Sequence, residues 1–456
     1  MSTKLKELRR APSAWSKLKE LRRYPSAIVG LIIMFIFIAF SIHTVFSLPL
    51  DEAVTLWRGG PGIWDDHPRR AEPAWFDWFT SDSLSRTIKV SLEDAGEMRV
   101  EPIGGGMNSV EVVLPFEFNY DTFPSEISLF TEATGAKEFS VYLRKPNGET
   151  VTLSENLGFR AHHIYRISLD SALRMQLNGA SPHVGLFSEN PSPGRDGKPL
   201  QGNYELVMLG EIPETTELHA AELVVFGQVH GAAGTDHLRR DLTIALRWGA
   251  PVGLLFGVLA AVGAQLSTFI LGGIGTWFGG KIDAIFHRLT EVTMILPLLV
   301  VLMMVGHFYT RSLWVMLGVV ILLSVFSASM KVYRAMFLQA KEAPYIEAAQ
   351  AYGAGNFRII FKYLLPRLSP VLLPQFIIVI PSFVFLEATL AVLGLGDPRL
   401  PTWGKIIYDA RVNDALYMGD YYWMLQPAVA LMLIGLSFSL LGYTLDRIFN
   451  PRLRKL

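Results

Sequence analysis

Apolar runs of about twenty residues, long enough to cross a hydrocarbon core as a helix, recur along this chain and constrain its fold more than any other feature. The first is Ala27 to Phe46, and five more lie near 249–276, 289–307, 312–333, 370–395 and 423–445. Six spans would leave both termini on one side of a membrane. The first run is longer than the apolar region of a signal peptide, and it ends in Phe46-Ser47-Leu48-Pro49 with no clear cleavage site. It predicts an uncleaved anchor. Half of the residues are hydrophobic, in keeping with several spans.

Basic residues choose the side. Lys4, Lys6, Arg9, Arg10, Lys17, Lys19, Arg22 and Arg23 precede the first run, and Lys281 and Arg288 lie between the second and third. Lys331, Arg334, Lys341, Arg358, Lys362 and Arg367 lie around the interval between the fourth and fifth, and Arg447, Arg452, Arg454 and Lys455 end the chain. The loop between the third and fourth has only Arg311. This pattern predicts cytoplasmic termini in a plasma (inner) membrane, with 48–240 and the 397–421 loop extracytoplasmic. The N-terminus repeats Lys-Leu-Lys-Glu-Leu-Arg-Arg at 4–10 and 17–23. Each copy reads as a short basic amphipathic helix drawn to anionic headgroups.

The formal net charge is zero, so nucleic-acid binding has no electrostatic support. The chain has no cysteine, which excludes disulfides, thiol catalysis and thiolate metal sites. Any extracytoplasmic domain must therefore hold together by core burial.

Residues 48–240 interrupt the pattern of spans. Val110 to Leu114, Phe139 to Arg144, Thr150 to Leu153, Asn203 to Leu209 and Glu222 to Val229 read as strands, with a Pro-Asn-Gly hairpin turn at 145–149. Their spacing predicts an all-β antiparallel sandwich with its core at about 86–228, roughly 140 residues and large enough to fold around its own centre. Trp57, Trp64, Trp75 and Trp78 precede it. They suit either a membrane interface or packing on the sandwich. His162-His163 is expected to be solvent-exposed, since neighbours on a strand point to opposite faces and chelate poorly.

Between the fourth and fifth runs, residues 347–366 read Glu-Ala-Ala-Gln-Ala-Tyr-Gly-Ala-Gly-Asn-Phe-Arg-Ile-Ile-Phe-Lys-Tyr-Leu-Leu-Pro. A polar helix, a turn at Gly353, a basic amphipathic helix and then Leu365-Pro366 make a rigid elbow at a membrane surface. Pro366, Pro370 and Pro374 recur at every fourth position and would bend the entry to the fifth span. Gly275 to Ile282 has the G-x-x-x-x-G-K spacing of a phosphate loop, but Ile282 stands where a Ser or Thr would hold magnesium. It also closes an apolar run, so no nucleotide site is expected.

The 347–366 segment resembles the E-A-A-x-x-x-G loop of ATP-binding-cassette permeases, which ends in x-L-P. Further matches resemble the C-type subunits of oligopeptide and dipeptide permeases. These are Phe278-Gly279-Gly280 with Asp283, Glu387-Ala388 through Leu393-Gly394-Leu395-Gly396, Pro401-Thr402-Trp403-Gly404, Asp409-Ala410-Arg411 and Asn450-Pro451-Arg452-Leu453-Arg454. Gly234-Thr235-Asp236 through Arg240-Asp241 is similar to their G-T-D-x-x-G-R-D, with Arg239 in place of the glycine. The resemblance covers the first span and about 230–456, but not the insertion.

It implies the six-helix importer-permease fold with an inserted β domain. The expected layout is a basic N-terminus at 1–25, a first span at 26–47, the insertion at 48–240, and a permease core at 241–456 with a coupling loop at 341–366. The implied function is passage of peptides handed over by an extracytoplasmic solute-binding protein. The implied partners are a homologous second permease and two cytoplasmic ATPases. ATP and magnesium would sit on those ATPases, with no cofactor, metal or catalytic residue on this chain. Glu347, Ala348, Ala349, Gly353, Leu365 and Pro366 are the implied ATPase-coupling residues. Nickel chelates or oligosaccharides are alternative cargoes. Glu291 and Glu387, carboxylates within apolar runs, belong either to a translocation path or to the structural frame, and an ion-coupled secondary transporter would use them as relays. His307 is expected at an interface.

The charge pattern makes a direct prediction. In this cysteine-free chain, a cysteine introduced at Asn147 should react with an impermeant thiol reagent in intact cells, and one at Gln350 should not. Labelling in the reverse order would overturn the orientation.

Overall fold

The computed structural model describes residues 24–134, 137–159, 162–189, 197–213 and 218–449. The basic repeat at 4–10 and 17–23 and the tail at 450–454 lie outside them. The chain divides into a helical unit, made of residues up to Arg58 and from Ile244 onward, and a β unit, Gly59–Thr243.

In the helical unit, α1 (Pro25–Ser47) is followed by a short helix, α2 (Leu50–Arg58), and after the β unit by α3 (Leu242–Phe278). Next come α4 (Gly280–Ile295), α5 (Leu298–Phe308), α6 (Leu313–Val325), α7 (Ala328–Lys341) and α8 (Pro344–Ala351). The long run α9 (Asn356–Val392), α10 (Trp403–Val412) and α11 (Tyr421–Phe449) complete it. Among the described residues, four helical runs are individually long and apolar enough to cross a membrane: α1, α3, α9 and α11 up to Leu445. The expected third and fourth spans are bent pairs, α4 with α5 at 78° and α6 with α7 at 46°, and counting each pair once gives six.

The breaks have local causes. Leu296 precedes Pro297 and is forced to extended backbone (ψ 121), and Pro297 is extended too (ψ 105), because a proline ring excludes helical geometry from the residue before it. Between α6 and α7, Phe326 and Ser327 leave the helical region, and the Thr293 hydroxyl donates to the Phe326 carbonyl. Within α9, Pro366 offers no N–H to the preceding turn. The run passes through a π turn at Ile360–Leu364 and a 3-10 turn at Ser369–Val371.

Glycines set how closely the helices approach. A Cβ at Gly257 of α3 would lie 2.5 Å from Val384 of α9, one at Gly30 of α1 would lie 2.7 Å from the Ser437 carbonyl of α11, and one at Gly442 of α11 would lie 2.8 Å from Ile378. Small residues at helix contacts are the usual packing device in lipid, where hydrophobic burial drives little association.

The strand ladders of the β unit are antiparallel, in two sheets that share one core. Their strand orders are β1-β9-β4-β7 and β2-β3-β8-β5-β6. The strands are β1 (Ile88–Ser91), β2 (Glu97–Gly104), β3 (Met107–Phe118), β4 (Glu126–Ala133), β5 (Lys137–Arg144), β6 (Thr150–Phe159), β7 (His163–Tyr165), β8 (Gly202–Pro213) and β9 (Leu218–Phe226). Alternation puts Val110, Val112, Leu114, Phe116 and Phe118 of β3 inward. Val112 pairs with Met208, Leu114 with Leu206 and Phe116 with Tyr204 across the ladder. Ile127 and Leu129 of β4 and Leu223 and Val225 of β9 face the same core from the other sheet. Gly210 leaves room for Phe139, since a Cβ there would lie 2.5 Å from that ring. Phe187 closes one end, 4.6 Å from Phe118 and 4.9 Å from Tyr204 between ring centres.

The predicted hairpin is present, with Gly148 at φ 84 and Arg144 opposite Thr150. The strand expected at 222–229 stops at Phe226. The chain runs hard against 85–86 there, and a Cβ at Gly227 would lie 2.4 Å from the Ser85 carbonyl. The unit is wider than the expected 86–228 core: Glu72 and Arg86 both bridge Val229, while residues 50–58 belong with the helical unit. Of the four early tryptophans, Trp57 is buried in α2, Trp64 stacks edge-on against His67, and Trp78 is exposed.

A fragment spanning 59–243 should fold alone, with strand-type circular dichroism and cooperative unfolding, and should melt above a fragment cut at 86 and 228. Phe187→Ala in it should cost about 3–5 kcal/mol in denaturant titration. A helical or unfolded fragment would overturn the autonomous unit.

Candidate functional site

The elbow is built around Gly353. Pro344 opens α8, where a missing N–H costs nothing. At the other end Gly353 takes φ 78, its N–H donates to the Gln350 carbonyl at 2.8 Å, and the Ala354 N–H donates to the Ala349 carbonyl at 3.0 Å. This pair of bonds is a Schellman cap, which needs a left-handed residue at that position.

Ile346 and Ala349 of α8 face inward, and Glu347, Ala348 and Gln350 face outward. Tyr352, 92 % exposed, follows them. The inward face joins a core of Phe269 and Trp277 from α3, Tyr333 and Phe337 from α7, and Ile359, Ile360, Leu364 and Leu365 from α9. Leu365 is thus a core residue, while Pro366 is exposed beside it. The two alanines divide: Ala349 packs and Ala348 is displayed.

Two polar links that the sequence reading did not assign tie this core to its neighbours. The Lys341 ammonium donates to the Thr276 and Trp277 carbonyls at 3.3 and 3.0 Å, satisfying the end of α3. Arg334 of α7 grips Asp283 of α4 bidentately, with Nε–Oδ1 at 2.7 Å and Nη2–Oδ2 at 2.5 Å. Asp283 had stood out only as part of a motif, and its spacing carried no sign of its partner.

The two intramembrane candidates differ. Glu291 lies on α4, partly exposed, with Arg288 at 3.0 Å and His287 at 3.3 Å on the same helix. Glu387 is buried in α9, close to the Thr402 hydroxyl. Thr402 caps α10, its hydroxyl accepting from the Lys405 N–H. The next residue, Trp403, donates from Nε1 to the Leu246 carbonyl of α3 at 2.9 Å, and a Cβ at Gly249 would lie 2.1 Å from its ring. A Cβ at Gly404 would lie 2.6 Å from the Ala388 carbonyl. The Pro-Thr-Trp-Gly segment therefore nails α10 between α3 and α9, and Glu387 sits in that joint.

In the β unit, the turn before α3 is built on Asp236. Asp236 is fully buried; Oδ1 accepts from the Leu238 and Arg240 N–H groups, and Oδ2 pairs with the Arg240 guanidinium at 2.6 Å. Arg239 occupies the left-handed region itself, at φ 66, a placement costing a side-chain-bearing residue about 1–2 kcal/mol. Its side chain offsets the strain: Nη1 donates to the His67 carbonyl at 2.7 Å, Nη2 pairs with Glu126, and the guanidinium lies 4.8 Å over the Phe226 ring.

Among the described residues no group of three or more His, Asp or Glu side chains is arranged to hold a metal. Of the pair expected to be exposed, His162 is exposed and His163, at the start of β7, is half-buried.

Residues 253–455 match the family described as binding-protein-dependent transport system inner membrane component. The dipeptide transport system permease protein DppC of Bacillus subtilis is 31 % identical over 223 residues, covering 49 % of this chain and 69 % of that protein. The oligopeptide transport system permease protein OppC of the same organism is 30 % identical over 225 residues, 49 % of this chain and 72 % of that one. The peptidoglycan transport system permease protein YejE of Agrobacterium fabrum is 29 % identical over 221 residues, 48 % and 56 %. The chain belongs to this family, the inner-membrane permeases of binding-protein-dependent ATP-binding-cassette importers. The family match begins at residue 253, so the strands of the β unit all precede it.

Gly353 gives the sharpest test. A Cβ there would meet nothing within 4 Å, so a substitution acts through φ alone. Gly353→Asn, which tolerates the left-handed region, should leave transport nearly intact. Gly353→Val should lower the transport obtained per ATP hydrolysed while the subunit still inserts. Normal coupling in the valine variant would remove the turn from the coupling device.

Proposed function

We propose that this chain is one of two transmembrane subunits of a peptide importer, and that α8 is the surface through which ATPase subunits drive it. The observation that carries this reading is the elbow. An exposed face with Glu347, Ala348 and Tyr352 is mounted on a core shared by α3, α7 and α9. A push on α8 would move those helices as one body, the kind of rocking that alternates access. ATP and magnesium act on the partner ATPases, and this chain is a transport subunit with no catalytic residue.

The peptide class rests on relatives named for dipeptide and oligopeptide transport. A solute-binding protein on the extracytoplasmic side delivers the cargo, and the 397–421 loop is a docking surface for it. That loop presents Tyr417, 93 % exposed, and Met418 on a single turn held between left-handed Asp414 (φ 54) and Gly419 (φ 91). The β unit, put on the extracytoplasmic side by the charge pattern, is a second docking surface for it. Glu387 is a structural group in the joint of α9 and α10; with Glu291 ion-paired on α4, an ion-relay mechanism loses one of its two carboxylates.

Proteoliposomes holding this chain with its second permease, ATPases and binding protein should take up peptide on addition of ATP and magnesium, unaffected by ionophores. Uptake driven by an ion gradient without ATP would overturn the assignment.

A further inference from the structure

The segment Ala74–Phe79 of the β unit reads Ala-Trp-Phe-Asp-Trp-Phe and forms a 3-10 turn. Trp75, Trp78 and Phe79 are 36 %, 83 % and 78 % exposed, the exposed aromatic side chains among the described residues of this unit. The Trp75 ring lies 6.1 Å from that of Phe79, and Trp78 precedes Phe79 in the turn. The one charge in the segment is turned away from them. Asp77 accepts from the Leu84 N–H at 3.2 Å and pairs with Arg86 at 3.2 Å, which leaves an uncharged aromatic tip.

The tip is tied close to the start of a membrane-crossing helix. The Ala74 N–H donates to the Gly231 carbonyl at 2.9 Å, and Trp75 Nε1 donates to the Ala232 carbonyl at 3.0 Å. Three residues after Gly231, the Gly234 carbonyl accepts from the N–H of Leu242, the first residue of α3, at 3.1 Å. One short stretch of backbone thus holds both the aromatic turn and the head of the span.

We infer that Trp75, Trp78 and Phe79 are an interfacial anchor, seated in the headgroup layer of the bilayer that α3 crosses. Tryptophan suits that layer because its ring is apolar and its N–H polar. A water-facing tip would instead expose two large rings for no gain. Here Trp75 spends its N–H on Ala232, while Trp78 and Phe79 lie bare. The occupant is therefore lipid.

Because the chain has no cysteine, single cysteines can be placed at Trp78, at Phe79, at neighbouring Thr80 and, as a control, at Asn147 in the β5–β6 turn. Each is labelled with a small fluorophore in the assembled transporter, in liposomes carrying nitroxide lipids labelled near the headgroup or at mid-chain. The expected result is strong quenching at 78 and 79 by the shallow nitroxide, weaker quenching by the deep one, and none at 147. Thr80 gives a second reading if the label disturbs the aromatic positions. Quenching at 78, 79 and 80 no greater than at 147 would overturn the anchor, and so would shielding of the labels that appears only on addition of the binding protein.

Discussion

A backbone carbonyl left without a donor in hydrocarbon costs several kcal/mol, and the helical unit is organised around supplying such donors. It breaks or ends helices at Ile295, Val325 and Phe278, and each break frees backbone groups. Side chains from other helices answer those at Val325 and Phe278. The Thr293 hydroxyl reaches the Phe326 carbonyl, the Thr268 hydroxyl lies 2.7 Å from the Val325 carbonyl, and Lys341 closes α3. Trp403 and Ser437 donate across helices too, to the Leu246 and Gly30 carbonyls inside α3 and α1. Each bond that satisfies the backbone also locks one helix to another, so the chain is bent and cross-braced by the same contacts.

That coupling of satisfaction to rigidity is what the elbow needs. Its turn uses the left-handed freedom of Gly353, and its inward face is continuous with α3, α7 and α9. A helix fixed on one side and bare on the other can pass on a push. The π turn at Ile360–Leu364 carries the core residues Ile360 and Leu364, so this irregular backbone lies within that fixed core.

The β unit solves a different problem. Without disulfides it depends on alternation, on the Gly210–Phe139 fit, and on aromatic closure by Phe187. The turn leading out of it carries an arginine where left-handed backbone is required. Arg239 holds the left-handed geometry by spending its guanidinium on His67, Glu126 and Phe226.

Much of this was legible in the sequence, because it is local. Span lengths, the Pro-Asn-Gly hairpin, the proline near the head of the fifth span and the glycine of the elbow each follow from a few consecutive residues and their allowed dihedrals. What the sequence could not decide is which faces meet. Glu291 and Glu387 read alike as carboxylates in apolar runs, yet one is ion-paired at a surface and the other buried beside Thr402. Asp283 and Arg334 are 51 positions apart. Four tryptophans in one segment went to different environments, and residues 50–58 joined the helices rather than the strands. Burial and partnership depend on contacts between distant segments. Periodicity reports that a face is apolar but not what covers it, so those choices belonged to the tertiary structure alone.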